Sequence, residues 1–534
     1  MATAKVSCAV RVAIAVLAIV AASASAGVPA AQALPPGEWS LALNEEFTTA
    51  GVNTALWTKG WQHEGTSEIS GRCISSSNTS QMGNGYLNLG ITSNGCGAAV
   101  ESNPADGVSG HLGFSFSYGY VEWRAYVPGI GPEGLKCPKG GCLPDWPALW
   151  SLPESHVTEI DTMEGLETLG QACFHFHHFA ATDENTGECV TGSYAGWHTY
   201  GADWEPGSVT YYYDGVKVGK ISSPYMGPTP QYLVMGFQTP GPTCCHQPYQ
   251  APDQMVVDYV KVWQHPKISF QANTGHLWTY TPGEPLDTGL AMKAGTGPSL
   301  TTLEHGQDLT AFQGGADQLW LDGPEGANNE LLTIDPGSSP DIAALGSGSP
   351  YIVALNKEST HHLWVFVPTE ADDETIVMAP GTSPSITGLA GGPSPYVIAA
   401  QGSNEHLWLR VPAEADDEGL PMSKGTSPSV TALGTSYIVA YQCSNGDLCL
   451  FLPTEHDDEG LGMAAGTSPS ITGLVGGGYA AAFQANTHNL YVFAAGKATN
   501  TGLSMNEGTS PSITALEGGS YQITFQTSGG NLET

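Results

Sequence analysis

Short runs in which polar and apolar residues alternate recur along this chain, with glycine, proline, asparagine and serine between them. The run 119–127 is an example, because Val121, Trp123, Ala125 and Val127 alternate with polar or aromatic residues. Successive side chains of a β-strand point to opposite faces, so this pattern predicts strands with one buried face. Hardly any run has the helical period of about 3.6 residues, and the pattern as a whole predicts an all-β fold.

Three acids, Glu159, Asp161 and Glu164, fall within six residues of one predicted strand, in a chain of which only 13% of the residues are charged. Alternation places Glu159 and Asp161 on the same face of that strand. Glu164 stands an odd number of residues from both, so it joins them only if a β-bulge takes up one residue after Asp161. We therefore predict a bulged strand with three carboxylates on one face, and with Ile160 and Met163 on the buried face.

Three carboxylates in this arrangement suit the hydrolysis of a glycosidic bond with retention of configuration. That reaction requires two carboxyl groups about 5 Å apart, one ionised to attack the anomeric carbon and one protonated to donate to the leaving oxygen. A third acid between them couples their protonation, because like charges at such distances do not all ionise. A solvated strand edge and a cation site are the alternative interpretations.

Five motifs contain or flank the acids. In chain order they are Tyr118-Gly119-Tyr120-Val121-Glu122-Trp123-Arg124, Trp146-Pro147-Ala148-Leu149-Trp150, Glu159-Ile160-Asp161-Thr162-Met163-Glu164, Trp197-His198-Thr199-Tyr200-Gly201-Ala202-Asp203-Trp204 and Tyr213-Asp214-Gly215. Over residues 38–264 the chain thereby resembles glycoside hydrolase family 16, the laminarinase and lichenase clan. The resemblance implies a β-jelly-roll sandwich in which Glu159 is the nucleophile, Asp161 an assisting acid and Glu164 the general acid/base.

Candidate sugar-binding residues follow from the same resemblance and from strand alternation. In the family, the residues that match Glu122 and Arg124 contact sugar hydroxyls, and their polar face is what a strand lining a cleft needs. An ion pair that fixes the sheet is the alternative. Trp146 and Trp150 are candidate stacking platforms, with Trp146 preferred, because an aromatic plane covers the C–H face of a pyranose ring.

Two histidines follow the acids on the next predicted strand. Alternation puts His175 and His177 on one face, where we expect hydrogen bonds within the cleft and one imidazole near Glu164. Metal coordination is the alternative, but no third ligand is evident, so we predict no metal site there. Gln238 is a further candidate sugar contact, where the chain departs from the family and leaves linkage preference open. Asp258 resembles an acid that in some relatives helps bind a structural calcium, while the reaction itself requires no cofactor.

A second pattern begins after residue 265. Gly-Thr-Ser-Pro-Ser or a close variant recurs with its proline at positions 298, 340, 384, 428, 469 and 511, in steps of 42, 44, 44, 41 and 42. A period of about 42 with four short strands per unit is typical of propeller blades. We predict a β-propeller of six or seven blades, which resembles the bacterial propeller lectins and is expected to hold the protein on polysaccharide.

Four repeats carry a leucine followed by tryptophan, at Leu277-Trp278, Leu319-Trp320, Leu363-Trp364 and Leu407-Trp408, and most repeats carry a glutamine at an equivalent position. In the fifth unit Cys449 takes the place of the tryptophan, and we predict that a disulfide with Cys443 replaces the lost packing. The repeated glutamines either contact sugar hydroxyls or bond the loops between blades; they are Gln271, Gln313, Gln401, Gln442, Gln484 and Gln526.

The N-terminus predicts secretion. Residues 1–26 carry Lys5 and Arg11, then an apolar run, then Ala24-Ser25-Ala26, which is the pattern of a cleaved signal peptide. We expect the sandwich to occupy residues 27–265 and the repeats residues 266–534. No later apolar run is long enough to span a bilayer, so we expect an extracellular protein rather than an anchored one.

Cysteine spacing is consistent with an oxidising compartment. Of eleven cysteines, Cys8 belongs to the predicted signal peptide, which leaves an even number. Local spacing predicts the pairs Cys73–Cys96, Cys137–Cys142, Cys173–Cys189 and Cys443–Cys449, with Cys244 and Cys245 left over. No Cys-x-x-Cys spacing occurs, so a cysteine zinc site is not expected.

The net charge of the chain limits the classes of molecule that it is expected to bind. At −35 the chain would repel nucleic acids and anionic membranes, whereas a neutral polysaccharide is compatible. We predict a monomeric, secreted, retaining endo-glycosidase that cleaves β-glucan, most specifically β-1,3-glucan. A glucan-binding protein without activity, a transglycosylase and a galactanase are the alternatives, and the presence of all three acids argues against the first of them.

Overall fold

The computed structural model describes residues 34–534 apart from short gaps. The gaps are 64, 82, 110, 130–144, 166–170, 181–183, 193, 240–250, 282–283, 304–305, 325, 346–348, 369, 391–393 and 413. The predicted signal peptide and four cysteines, Cys137, Cys142, Cys244 and Cys245, lie outside the described residues.

The all-β prediction is confirmed. Most of the described residues lie in strands, and the helices among them are two single-turn 3-10 helices, Ser76–Asn78 and Glu517–Gly519. Within these ranges no helix has the length and apolar character needed to cross a membrane.

The first half of the described chain contains eighteen strands. In chain order they are β1 (Ser40–Glu45), β2 (Thr58–Lys59), β3 (Thr66–Ile69), β4 (Arg72–Ser75), β5 (Thr79–Gln81), β6 (Leu87–Ile91), β7 (Ala98–Glu101), β8 (Ser115–Phe116), β9 (Gly119–Val127), β10 (Trp146–Leu152), β11 (Thr158–Glu164), β12 (Gln171–His178), β13 (Glu184–Thr191), β14 (Gly196–Glu205), β15 (Ser208–Tyr213), β16 (Val216–Ser222), β17 (Gln231–Gln238) and β18 (Asp253–Gln264).

These strands form two eight-stranded antiparallel sheets and the separate β3–β4 hairpin. The first sheet has the order β16-β15-β14-β9-β18-β6-β5, with β1 beside β18. The second has the order β13-β12-β11-β10-β17-β7-β2, with β8 beside β17. Consecutive strands in space are mostly distant in sequence, as in a jelly roll, and this part of the predicted fold is confirmed.

The two sheets pack face to face around one hydrophobic core. Val121, Trp123, Ala125 and Val127 of β9 are buried there, as their alternation predicts. The second sheet contributes residues such as Phe174, which stacks on an aromatic ring of the first sheet. We call the face of the second sheet opposite this core the cleft face.

The second half contains twenty-six strands in the described ranges. In chain order they are β19 (Ile268–Gln271), β20 (His276–Thr281), β21 (Glu284–Ala291), β22 (Ser299–Thr302), β23 (Asp308–Gln313), β24 (Gln318–Gly323), β25 (Gly326–Thr333), β26 (Asp341–Ala344), β27 (Tyr351–Asn356), β28 (His362–Val367), β29 (Glu370–Val377), β30 (Ser385–Gly388), β31 (Tyr396–Gln401), β32 (His406–Val411), β33 (Glu414–Pro421), β34 (Ser429–Leu433), β35 (Ser436–Gln442), β36 (Asp447–Leu452), β37 (Glu455–Gly462), β38 (Ser470–Gly473), β39 (Tyr479–Gln484), β40 (Asn489–Ala494), β41 (Lys497–Ser504), β42 (Ser512–Ala515), β43 (Tyr521–Gln526) and β44 (Leu532–Glu533).

These strands form a seven-bladed propeller, which settles the predicted choice between six and seven blades. Five blades have four strands each, while the first, β19–β21, and the last, β42–β44, have three. Among the described residues, the first blade has no strand equivalent to β22, and the last has none equivalent to β25. β18 ends at Gln264 and β19 begins at Ile268. The domain boundaries themselves stay a prediction, as does sugar binding by the propeller.

The Gly-Thr-Ser-Pro repeat links neighbouring blades. In each link a backbone N–H donates to the serine hydroxyl one repeat later, at 2.9 Å; the pairs are Gly297–Ser339, Ser339–Ser383, Ser383–Ser427, Ser427–Ser468 and Ser468–Ser510. A hydrogen bond repeated at the same place in successive blades fixes their spacing. The recurrence of the motif is therefore explained by blade packing.

The repeated glutamines form hydrogen bonds to the loops between blades, which is one of the two roles predicted for them. Gln401 is fully buried, donates from Nε2 to the Ser423 carbonyl at 2.8 Å and accepts from the Gly425 N–H at 2.9 Å. Gln484 makes the equivalent pair of bonds with Asn506 and Gly508. In Gln401 and Gln484 both ends of the amide are satisfied, which stabilises the loop. In Gln313 and Gln442, by contrast, Oε1 has no hydrogen-bond partner among the described residues.

Three of the predicted disulfides are confirmed. They join Cys73 to Cys96, Cys173 to Cys189 and Cys443 to Cys449. Cys449 is fully buried in a core cluster between blades, in the position that tryptophan takes in other repeats. The disulfide therefore does fill that position, as predicted.

Candidate active site

The predicted bulge lies where the chemistry requires it, in β11. Register between β11 and β12 shifts between Asp161 and Glu164, whereas Glu159 and Asp161 pair directly with His177 and His175. Ile160 and Met163, three residues apart, both enter the core. The shift therefore leaves Glu159, Asp161 and Glu164 together on the cleft face, as the sequence predicted.

The carboxyl groups of this strand are shielded from water and interact with one another. Asp161 is 2% exposed and Glu164 is 5% exposed. Burial raises the pKa of Glu159 well above its usual value, and the charges of Asp161 and Glu164 raise it further, while His177 opposes this. Burial, followed by the charge of Glu164, likewise raises the pKa of Asp161 well above its usual value. The cluster thus favours shared protons over three separate negative charges.

Both oxygens of Glu164 have partners on neighbouring strands. Trp146 on β10 donates from Nε1 to Glu164 Oε1 at 3.1 Å. His175 Nδ1 on β12 shares a hydrogen with Glu164 Oε2 at 2.7 Å. The carboxyl group is consequently held in one orientation from two sides, and the prediction of an imidazole near Glu164 is confirmed.

Trp146→Phe is expected to lower kcat about tenfold with little change in KM, because the loss of one hydrogen bond of ~1 to 1.5 kcal/mol leaves Glu164 less well oriented. Steady-state kinetics on a polysaccharide that the protein cleaves would measure this, with Trp197→Phe, on the outer face of the other sheet, as the matched control. A rise in KM at constant kcat would instead assign Trp146 to sugar stacking alone.

The remaining candidates on the cleft face lie around these acids. His177 Nε2 is 3.2 Å from Asp161 Oδ2. Gln238 pairs with Trp146 across β10 and β17, is 4% exposed, and its Oε1 has no hydrogen-bond partner among the described residues. Its place beside Trp146 is compatible with the predicted sugar contact, which stays a prediction.

Trp150 is less accessible than a stacking platform requires. It is 7% exposed and packs against Trp61, with ring centroids 5.1 Å apart. Trp57, the other tryptophan of that early segment, lies in the core. Of these two early tryptophans, Trp61 is therefore the one that packs against cleft-face residues.

The expectation that Glu122 and Arg124 line the cleft is wrong. They lie on β9 of the first sheet, with side chains on its outer face, because Trp123 between them enters the core. Glu122 accepts hydrogen bonds from Tyr120 and Tyr259, at 2.8 and 2.7 Å. Alternation separated the two faces of this strand correctly, but it contains no information on which sheet carries the acids.

The carboxylate of Asp258 already has a cationic partner. Its carboxylate pairs with the guanidinium of Arg124, which itself lies 4.8 Å from the ring centre of Trp197. A cation already balances the charge, and in the described part of the chain Asp258 belongs to no cluster of three carboxylate, imidazole or thiol ligands. Calcium there stays a prediction without structural support.

A fourth acid on the cleft face was not identified from the sequence. Cross-strand partners run from Asp161 to Trp150, then to Val234, then to Glu101. Three strand spacings correspond to about 14 Å between the backbones of Asp161 and Glu101. Glu101 is fully buried, accepts from the Gln62 N–H at 2.6 Å, and burial raises its pKa to about 8. Its neighbours in sequence are ordinary strand residues, which gave no signal.

Comparison with known proteins gives a distant relative. No family model matches the chain. The chain is 25% identical over 199 residues to the endo-1,3-1,4-beta-glycanase ExsH of Rhizobium meliloti strain 1021, and this match covers 35% of the chain. The chain spans 40% of the length of that curated relative.

Solved structures of lower identity also align. A laminarinase from Flavobacterium sp. UMI-01 is 20% identical, with 42% of this chain and 100% of that chain covered and a TM-score of 0.33. The endo-beta-1,3-glucanase of Pyrococcus furiosus is 20% identical, with 43% and 96% covered and a TM-score of 0.33.

The curated similarity agrees with the motif on β11. Both point to the same class of protein, although one depends on 199 aligned residues and the other on six. With an endo-glycanase relative beside the Glu-Ile-Asp-Thr-Met-Glu motif, the resemblance of this chain to glycoside hydrolase family 16 is confirmed.

Proposed function

We propose that the protein is a secreted endo-glycosidase that hydrolyses β-glucan, most specifically β-1,3-glucan, with retention of configuration. The observation that carries the proposal is the bulge in β11, which gathers Glu159, Asp161 and Glu164 on one face of the second sheet. A strand without the bulge would direct Glu164 into the core, where it could not reach a sugar.

Glu159 is the nucleophile of the first step. Its carboxylate attacks the anomeric carbon and forms a covalent glycosyl ester, while Glu164 donates a proton to the leaving glycosidic oxygen. Asp161 lies between them in the strand, and its charge couples to that of Glu164. A negative charge that forms on Glu164 when it loses its proton is accommodated by the Trp146 N–H and by His175.

The second step reverses the roles of proton donor and acceptor. Glu164, now ionised, removes a proton from water as the water attacks the same carbon, and Glu159 leaves with its electron pair. Two inversions at one carbon give net retention. If a sugar hydroxyl replaces water, the same residues carry out transglycosylation.

Substrate class and location follow from charge and disulfides. A chain of net charge −35 suits a neutral glucan better than an anionic polymer. Three disulfides in the described residues suit an oxidising, extracellular compartment.

Product analysis tests the proposal. The purified protein and its Glu159→Gln variant are incubated with laminarin, lichenan, xyloglucan and agarose, and products are separated by chromatography. We expect short oligosaccharides from laminarin, fewer or none from the other polymers, and none from the variant. Product from agarose alone would refute the glucanase assignment.

Related measurements distinguish the alternative functions. Oligosaccharides longer than the substrate, formed from a purified oligosaccharide, would identify transglycosylation. No product from any polymer, together with binding of the chain to insoluble glucan, would leave the non-catalytic glucan-binding protein.

A further inference from the structure

Four side chains of the cleft face offer metal-ligating atoms within 4.8 Å of one another. They are Asp161, Glu164, His175 and His177. The two histidines alternate on β12, and the two acids lie on the adjacent strand β11. The sequence gave no third ligand for the histidines; the bulge and the strand pairing supply a third and a fourth.

The spacing of these atoms is close to that of a tetrahedral ion site. His175 Nδ1 is 2.7 Å from Glu164 Oε2, and His177 Nε2 is 3.2 Å from Asp161 Oδ2. Around an ion with bonds of about 2.1 Å, donor atoms lie ~3.4 Å apart, so small rotations of the side chains suffice. Asp161 is 2% exposed, and its Oδ2 has no hydrogen-bond partner of normal geometry among the described residues. A buried carboxylate oxygen is therefore available to a cation.

The donor set selects the kind of ion. Two imidazole nitrogens and two carboxylate oxygens suit Zn²⁺ and similar divalent transition metals. Ca²⁺ prefers six to eight oxygen ligands, and Mg²⁺ prefers an octahedron of oxygens that includes several waters, so neither matches this set. Two carboxylates also balance the charge of one divalent ion.

We propose that Asp161, Glu164, His175 and His177 bind a zinc-like divalent ion, and that the bound ion blocks the cleft. An ion bound to the Glu164 carboxylate keeps that group ionised, so that it holds no proton for the leaving oxygen. Zinc is thus a competitive inhibitor of the reaction, not a cofactor. The inhibition rests on the proposed function, whereas the binding does not.

Calorimetric titration tests the binding directly. The full-length protein is first freed of metal with a chelator, then titrated with ZnCl₂ in a buffer that does not bind metal. We expect one saturable site, and no comparable heat with CaCl₂ or MgCl₂. His177→Ala and the nearly isosteric Asp161→Asn should each weaken zinc binding on the order of 100-fold, because each removes one of four ligands.

A histidine of the propeller provides the matched control. His362 pairs with Asp373 at 2.9 Å, a two-ligand arrangement that recurs elsewhere in the repeats. His362→Ala should leave zinc affinity unchanged. Loss of the site in His362→Ala, or its persistence in both His177→Ala and Asp161→Asn, would overturn the proposal.

Activity provides the second readout. If the protein cleaves a glucan, saturating zinc should abolish cleavage, substrate should compete, and a chelator should restore the rate. Cleavage that proceeds unchanged at saturating zinc would refute the inhibitory role. If no glucan is cleaved but zinc binds with the stated variant pattern, the proposed function fails while the metal site stands.

Discussion

Glu159→Ala should lower kcat by about 10⁴-fold or more, because the covalent step loses its nucleophile. The side chain is half-buried and close enough to Asp161 to feel its charge, so its truncation leaves a space on the side from which the anomeric carbon is attacked. The assay substrate is an aryl β-glycoside of a glucan oligosaccharide, whose leaving group departs without help from an acid.

Sodium azide then distinguishes the two glutamates. In Glu159→Ala, azide occupies the vacated space, forms a C–N bond as the aryl C–O bond breaks, and yields the α-glycosyl azide by one inversion. In Glu164→Ala, Glu159 still forms the ester with the aryl substrate, and azide displaces it from the opposite side to yield the β-glycosyl azide.

Glu46→Gln provides the control, because Glu46 pairs with Lys261 at 2.6 Å on the first sheet. It should retain wild-type activity. A β-glycosyl azide from Glu159→Ala would reverse the roles of the two residues, and undiminished activity in Glu159→Ala would remove Glu159 from the mechanism.

The bulge was predictable because its cause is local. Strand periodicity is fixed by covalent geometry, and three carboxylates can face one side only if one residue is taken up between Asp161 and Glu164. His175 and His177 followed from the same periodicity. Local rules thus located most of the cluster of acids and histidines on the cleft face.

Glu122 and Arg124 mark the limit of such rules. Alternation places both on one face of β9, which is correct, but the position of that face depends on the strand order of the whole sandwich. β9 lies between β14 and β18 in the first sheet, whereas the acids lie in the second. No pattern within nine residues contains that information.

The propeller shows a similar limit. The six Gly-Thr-Ser-Pro motifs mark the six loops between neighbouring blades. The period is visible in the sequence because every blade packs against its neighbours in the same way. The number of blades depends on how incomplete units at the ends pair. The first blade forms without the strand equivalent to β22, so seven blades arise from six motifs.

Glu101→Gln is expected to stabilise the protein at alkaline pH. Glu101 is fully buried, and its Oε2 has no hydrogen-bond partner among the described residues. Burial raises its pKa from 4.5 to about 8, with contributions from Asp106 and Glu154, while the Gln62 N–H opposes the shift. Glutamine has the same shape, can still accept from the Gln62 N–H, and carries no charge at any pH.

The sign of the effect follows from linkage. The folded state binds a proton at Glu101 up to about pH 8, whereas the unfolded chain releases it near pH 4.5. Between these values the folded state binds more protons, so the free energy of unfolding falls as pH rises. Below pH 4.5 the residue is protonated in both states and has no such effect.

Unfolding by urea at pH 4.5, 6 and 8.5 measures this for the wild type and Glu101→Gln. The two should nearly coincide at pH 4.5, and the variant should be more stable by about 5 kcal/mol at pH 8.5, since the pKa differs by about 3.5 units between the two states and each unit corresponds to about 1.4 kcal/mol. Glu68→Gln, on an exposed strand position, should follow the wild type throughout. A constant difference between wild type and Glu101→Gln at all three pH values would mean that Glu101 is ionised in the folded protein, and that its burial is balanced by a cation.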